Sequence, residues 1–328
     1  MSDIILPQEA ESAMTAEVQA EIRAKIRAII DRREMTGKQI AREADIPYGT
    51  FSSWLGNTYQ GRTERVAAEV RRWMEKTEEH VRARGMVPNA PEFCMTKSAQ
   101  DYFAVFEHAQ HMPDMVIIAG SPGTGKTSAA MAYRKRNPNV HVVACEPVFT
   151  SPRVLLEGIA GQLGMSDRYG SGHRISMQIV ARLRETRGLL ILDEAQHLST
   201  PSLDQLRTIH DKAEIGVAMV GNELVYSRFE GAQRTPQFAQ LFSRVGMRLQ
   251  RPMPVKRDVD MLLDGWGIEE EALRKLLHAI ARKPGALRGM TKTLRIAHML
   301  AHAEQAPVGE QHVMDAWAQL GNPSLDRG

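Results

Sequence analysis

The chain has 328 residues, enough for two or three domains, an ordinary globular composition and a formal charge of +3, too small to point to any partner. Its two cysteines, Cys94 and Cys145, lie far apart and suggest neither a disulfide framework nor a zinc site, which fits a reducing cytosol. The opening Met1-Ser2-Asp3 lacks the basic-then-apolar order of a signal peptide, and no apolar run approaches the roughly 20 residues that span a bilayer, so no membrane partner is expected.

From the N-terminus, 17–33 reads as an amphipathic helix, with Val18, Ile22, Ile26 and Ile29 on one face. Met35-Thr36-Gly37 breaks it. Residues 38–55 then read as a short helix carrying Ile40, Ala41 and Ala44, a turn at Asp45-Ile46-Pro47, and a second short helix that turns Phe51, Trp54 and Leu55 inward. This order resembles a helix-turn-helix of the phage-repressor type. Asp45 stands where that family usually has glycine, and Asp tolerates the left-handed conformation better than most residues. The outward residues of the second helix would be Tyr48, Gly49, Thr50, Ser52 and Ser53, none of them charged. Residues 1–85 hold 14 Lys or Arg and 14 Asp or Glu, whereas DNA-binding domains usually carry an electropositive footprint. DNA contact and a protein-docking helical bundle both stay open. Residues 62–76 continue as a helix with Val66, Val70 and Trp73 on one side. Residues 85–91, with Pro88 and Pro91, read as a linker, and a helix over 98–111 leads out of it.

The stretch 115–119 is short, apolar and partly β-branched, as a buried parallel strand should be. After it come Gly120, Ser121, Pro122, Gly123, Thr124, Gly125, Lys126 and Thr127, and then a run of helix formers. Strand, glycine loop and helix make the phosphate-loop context. The glycines let backbone N–H groups point inward at phosphate oxygens, and the helix N-terminus adds positive potential. Lys126 is expected on the β- and γ-phosphates of ATP, and Thr127 on Mg²⁺. Residues 140–144 read as a second strand, 154–163 as a helix, 164–174 as a surface loop and 175–186 as a helix. At 189–194 four aliphatics end in Asp193 and Glu194, 67 residues after Lys126. Ligands of open α/β sheets sit at that edge, so Asp193 is expected to hold Mg²⁺ and Glu194 to polarise the attacking water. The apolar run 215–221 ends in Asn222, which suits either the same water or a plain turn. Helices are expected near 258–263, 269–281, 286–303 and 309–320.

Phosphate loop, acidic pair and strand-end Asn222 resemble Walker A, Walker B and sensor 1 of the AAA+ ATPases. That resemblance implies an α/β fold: a five-stranded parallel sheet with a helical lid, nucleotide at subunit junctions and an arginine supplied by the neighbour. Arg244 is the candidate for that finger, with Arg234 and Arg248 as rivals. Lys283-Pro284-Gly285-Ala286-Leu287-Arg288 resembles sensor 2 and brings Arg288 to the γ-phosphate. Within the AAA+ class the chain more specifically resembles the transposition target-selection ATPases of Mu-like phages, through Thr36-Gly37-Lys38-Gln39-Ile40-Ala41, Leu241-Phe242-Ser243-Arg244 and the 283–288 string. The implied organisation is a helix-turn-helix domain at 1–84, a linker at 85–96, an AAA+ core at 97–252 and a helical lid at 253–328. The implied function is ATP-dependent, largely sequence-nonspecific binding of double-stranded DNA, self-assembly into a filament and delivery of target DNA to a transposase, in the cytoplasm of a bacterial host. A site-specific ATP-responsive regulator and a helicase loader are the alternatives. Three stretches offer charge for phosphates: 234–257 with six basic residues and no acid, 274–295 with seven and none, and 165–188 with net +3. Arg168, Arg174 and Arg182 lead as DNA contacts, with Thr50, Ser52 and Ser53 from the N-terminal module.

Overall fold

A computed structural model describes residues 14–32, 35–85, 93–165, 170–231 and 243–322, with backbone alone at 78–85 and 228–231. Contacts divide the chain into two compact units, Met1–Val87 and Pro88–Gly328. The linker expected at 85–91 lies almost wholly outside the described residues.

The first unit is four helices: α1 (Ala16–Asp31), α2 (Gly37–Glu43), α3 (Tyr48–Leu55) and α4 (Thr63–Gly85). Thr15 caps α1, and Thr36 and Gln39 form a capping box on α2, which fixes where each helix starts. Asp45, in the turn between α2 and α3, takes the left-handed conformation at φ 58°, which Asp tolerates better than most residues. Ile26, Ile40, Phe51, Trp54 and Val70 are fully buried together. Arg23 and Arg27 of α1 donate to the carbonyls of Trp54 (2.8 Å) and Leu55 (2.7 Å), satisfying the C-terminal end of α3. Arg23 also lies over the Trp54 ring. These two cations therefore serve the fold. The helix α4 runs nine residues beyond the expected end at 76.

The second unit is built on five strands: β1 (Met115–Gly120), β2 (Val140–Ala144), β3 (Leu189–Asp193), β4 (Gly216–Gly221) and β5 (Val245–Arg251). Their order is β2-β3-β4-β1-β5, and every neighbour pair is parallel. The basic run near Arg248 is thus the fifth strand, at the sheet edge. Its residues are mostly half-exposed, which is why it lacks the aliphatic signature of β1, β3 and β4, all buried along their length. Strand residues alternate between two cores. Ile117, Leu190, Leu192, Val217 and Met219 meet α7 (Pro152–Gln162), α8 (Gly172–Leu183) and α9 (Thr200–Ala213). Val116, Ile118, Ile191, Ala218 and Val220 meet α5 (Lys97–His111) and α6 (Lys126–Arg136) through Tyr102, Phe106 and Tyr133. The helix α8, capped by Ser171, begins at Gly172, three residues before the expected start, and ends at Leu183. Among the described residues no helix is long and apolar enough to cross a membrane.

After α10 (Glu223–Gly231) and β5, four helices complete the unit: α11 (Lys256–Gly265), α12 (Glu271–Ala281), α13 (Ala286–Ala303) and α14 (Glu310–Gln319). Their shared core includes Leu277, Met290, Leu294, Ala297, Val313 and Trp317. Asp258 of α11 is fully buried and anchors this bundle to the sheet layer: it accepts the Ser98 N–H (2.8 Å), the Ser98 hydroxyl (2.6 Å) and the Val255 N–H (2.9 Å). A buried carboxylate is tolerable when its lone pairs are this fully used.

Candidate active site

All five strands point their C-terminal ends toward one side, and a cavity of about 390 Å³ opens there between the glycine loop and the helical bundle. The glycine loop forms its floor. Gly123 and Gly125 take φ of 88° and 87°, a conformation that costs other residues roughly 1–2 kcal/mol. Gly125 opens α6 without any side-chain cap, so the first-turn N–H groups face the cavity side unshielded by a side chain. Lys126 is 8% exposed and donates to the carbonyls of Gly120 (2.8 Å) and Ser121 (3.0 Å) and to the Thr124 hydroxyl (3.2 Å). Burial pulls its pKa down, Glu194 and Asp193 oppose that, and the nearby Arg288 adds to it.

Asp193 closes β3 behind the loop and is 5% exposed. Burial lifts its carboxyl above the usual range, against hydrogen bonds from the Thr127 side chain and the Glu194 N–H (3.0 Å). A hydroxyl and a carboxylate in contact, both hard oxygen donors, suit a divalent cation. Glu194 sits in the left-handed conformation (φ 55°, ψ 39°), which swings the chain off β3 into a 3₁₀ turn at Ala195–His197. That turn brings Gln196 back beside the site: its amide donates to the Glu194 carboxylate and accepts the Asn222 N–H at 3.3 Å. Asn222 lines the cavity, and its side-chain oxygen caps α10 by accepting the Leu224 N–H at 2.9 Å.

The bundle supplies the roof. Gly285, at φ 96°, starts α13, and the Leu287 N–H donates to the Gly123 carbonyl at 3.1 Å. A Cβ on Gly123 would collide with the Gly285 carbonyl, so this approach needs glycine. Arg288 lines the cavity, and Lys292 and Arg295 line it from the same face of α13. Phe93, Cys94, Thr96, Leu262 and Trp266 form the apolar far wall. Sequence reasoning placed Lys292 and Arg295 in a stretch offered to DNA and missed Gln196 and the far wall. The spacing of Lys292 and Arg295 from Arg288, four and seven residues, was the legible signal.

The other expected residues stand elsewhere. Arg244 precedes β5, at the opposite end of the parallel strands, and pairs with Asp211 at 2.9 Å. Arg248 is a half-buried member of β5, Arg251 pairs with Asp101, and Arg274 pairs with Asp260 and Asp264 inside the bundle. Arg244, Arg251 and Arg274 of the basic stretches thus already carry carboxylate partners. Arg174 and Arg182 are exposed on α8, Ser52 is exposed on α3, and Thr50 and Ser53 are half-buried there. Arg168 and Arg234 lie outside the described residues.

A five-stranded parallel sheet with a glycine loop under a helical lid defines an AAA+ ATPase, and residues 110–229 match the family described as AAA domain. Residues 243–320 match the family described as Mu B transposition protein, C terminal. The chain is 36% identical over 301 residues to the ATP-dependent target DNA activator B of Escherichia phage Mu, covering 92% of this chain and 95% of that protein. It is 34% identical over 272 residues to the Mu-like prophage FluMu DNA transposition protein B of Haemophilus influenzae, covering 82% and 93%. Among solved structures it resembles Drosophila ORC bound to DNA in fold, with a TM-score of 0.53 and 18% identity over 74% of this chain and 65% of that one. The chain belongs to the Mu B family of transposition proteins.

Proposed function

We propose that this chain is an ATP-driven, largely sequence-indifferent DNA-binding protein that assembles on duplex target DNA and delivers it to a transposase. One observation carries the reading: glycine loop, Glu194 and lid arginine line one cavity, with Asp193 beside Lys126 and Thr127, in a chain similar along 92% of its length to an ATP-dependent target DNA activator B. Loop N–H groups bind the phosphates, and Lys126 exchanges its three loop oxygens for those of the β- and γ-phosphates. Thr127 and Asp193 would hold Mg²⁺, which would supply positive charge against that developing on the transferred phosphoryl group. Glu194 polarises the attacking water, Asn222 orients it through its amide nitrogen, and Arg288 meets the γ-phosphate.

In the assembly Arg244 leaves Asp211 for the neighbour's nucleotide, so ATP stiffens the protomer junction and hydrolysis loosens it. The division is 1–84 for the helix-turn-helix module, 85–96 for the linker, 97–252 for the AAA+ core and 253–328 for the lid. DNA phosphates meet Arg174 and Arg182, with Thr50, Ser52 and Ser53 of α3 as uncharged contacts. The protein acts in the cytoplasm of a bacterial host. Electron microscopy with long duplex DNA tests this: Mg-ATP yields filaments, Lys126→Ala yields none, and Glu194→Gln yields filaments that persist because ATP is bound and barely hydrolysed. Wild-type protein that stays monomeric on DNA under saturating Mg-ATP overturns the reading.

A further inference from the structure

Gln196 touches both the residue assigned to the water and the strand end assigned to sensing the phosphate. Its carboxamide orientation is settled by its partners. The Glu194 carboxylate only accepts and the Asn222 N–H only donates, so the amide nitrogen must face Glu194 and the amide oxygen must face Asn222. Two further features converge on the same side chain. The left-handed backbone at Glu194 creates the turn that returns Gln196 over the end of β3. Gly221 is the strand-end residue whose Cβ would strike the Gln196 amide oxygen, so β4 is bare where Gln196 lies against it. An uncharged amide offers a donor to a carboxylate at one corner and an acceptor to an N–H at the other.

We propose that Gln196 is a positioning residue for ATP hydrolysis: it holds the Glu194 carboxylate in register with the end of β4, so that Glu194 and Asn222 move as one unit. This rests on the assignment of Glu194 to the attacking water. A side chain that orients a general base affects turnover and leaves ground-state binding alone, because the nucleotide's own contacts lie on the loop and lid. Gln196→Glu separates this from scaffolding. It preserves size and the acceptor for the Asn222 N–H, yet sets a second carboxylate against Glu194 in place of a donor.

The test measures steady-state ATPase and the Kd for a fluorescent ATP analogue in Gln196→Ala, Gln196→Glu, Glu194→Gln and the double variant Glu194→Gln/Gln196→Ala. The expected result is a kcat loss of roughly tenfold or more in both Gln196 variants, with KM and Kd close to wild type, and no further loss when Gln196→Ala is added to Glu194→Gln. Gln196→Glu with wild-type kcat overturns the proposal, as does loss of nucleotide binding together with kcat in Gln196→Glu, which would make Gln196 scaffold. If Glu194→Gln itself hydrolyses normally, the assignment of the water to Glu194 fails; a dead Glu194→Gln beside active Gln196 variants sinks this inference alone.

Discussion

Asp193 shows how much a single carboxyl can be asked to bear. Burial raises its pKa more than the Thr127 side chain and the Glu194 N–H lower it. A folded-state value above the unfolded one means the native fold prefers the protonated acid. That preference stabilises fully below the unfolded value near ~4 and is lost as pH rises through the folded value. Wherever Asp193 is ionised, its charge therefore weighs against the nucleotide-free fold, and a cation at Thr127 would relieve it. Asp193→Asn should raise the melting temperature of the nucleotide-free protein at neutral pH, with the gain shrinking as pH falls toward ~4. Scanning calorimetry of both proteins across that range decides it, and an Asn variant that melts lower at neutral pH would show that the charge supports the loop.

The helix α13 carries two jobs on two faces. Met290, Leu294, Ala297 and Ala301 bury one face in the bundle, while Arg288, Lys292 and Arg295 line the cavity from the other. At 1.5 Å per residue these three cations span about 10 Å, comparable with a triphosphate and its ribose. Each is solvent-accessible, so each is worth at most about 1 kcal/mol to an anion. Lys292→Ala and Arg295→Ala should each weaken ATP binding by up to about fivefold, and less at high salt. Lys275→Ala, exposed on α12 and paired with Glu271 of its own helix, should change nothing. Titration with a fluorescent ATP analogue separates the outcomes; equal affinities in all three variants would return Lys292 and Arg295 to the solvated surface.

The whole chain divides unevenly, and the division predicts where nucleotide chemistry resides. Every residue lining the cavity lies between Phe93 and Arg295, within the unit Pro88–Gly328. That unit has its own two-sided core, and the four helices before it have another. A protein comprising residues 88–328 should therefore fold cooperatively and bind ATP with the affinity of the full chain, by isothermal titration. Markedly weaker binding would mean that the N-terminal unit takes part in nucleotide binding. Charges in residues 1–85 balance, and Arg23 and Arg27 of the N-terminal unit serve α3.

The parts of this protein readable without coordinates are those written in contiguous residues. The loop at 120–127, the aliphatic strands β1, β3 and β4, and Asp193-Glu194 each depend on neighbours a few positions away, because turn sterics and strand burial are local demands. Asp45 belongs with them: its left-handed φ follows from the turn alone. Folding decided the rest. The edge strand β5 is too exposed to leave an aliphatic run, and the order β2-β3-β4-β1-β5 follows from packing both sheet faces. Gly123 meets Gly285 across more than a hundred and fifty residues, Asp258 reaches back to Ser98, and Arg244 finds Asp211. Gln196 lies two residues from Glu194, yet its meeting with Asn222 exists only because parallel β3 and β4 end side by side. Distances of this kind are set when separate segments bury their apolar faces against one another, which no local pattern encodes.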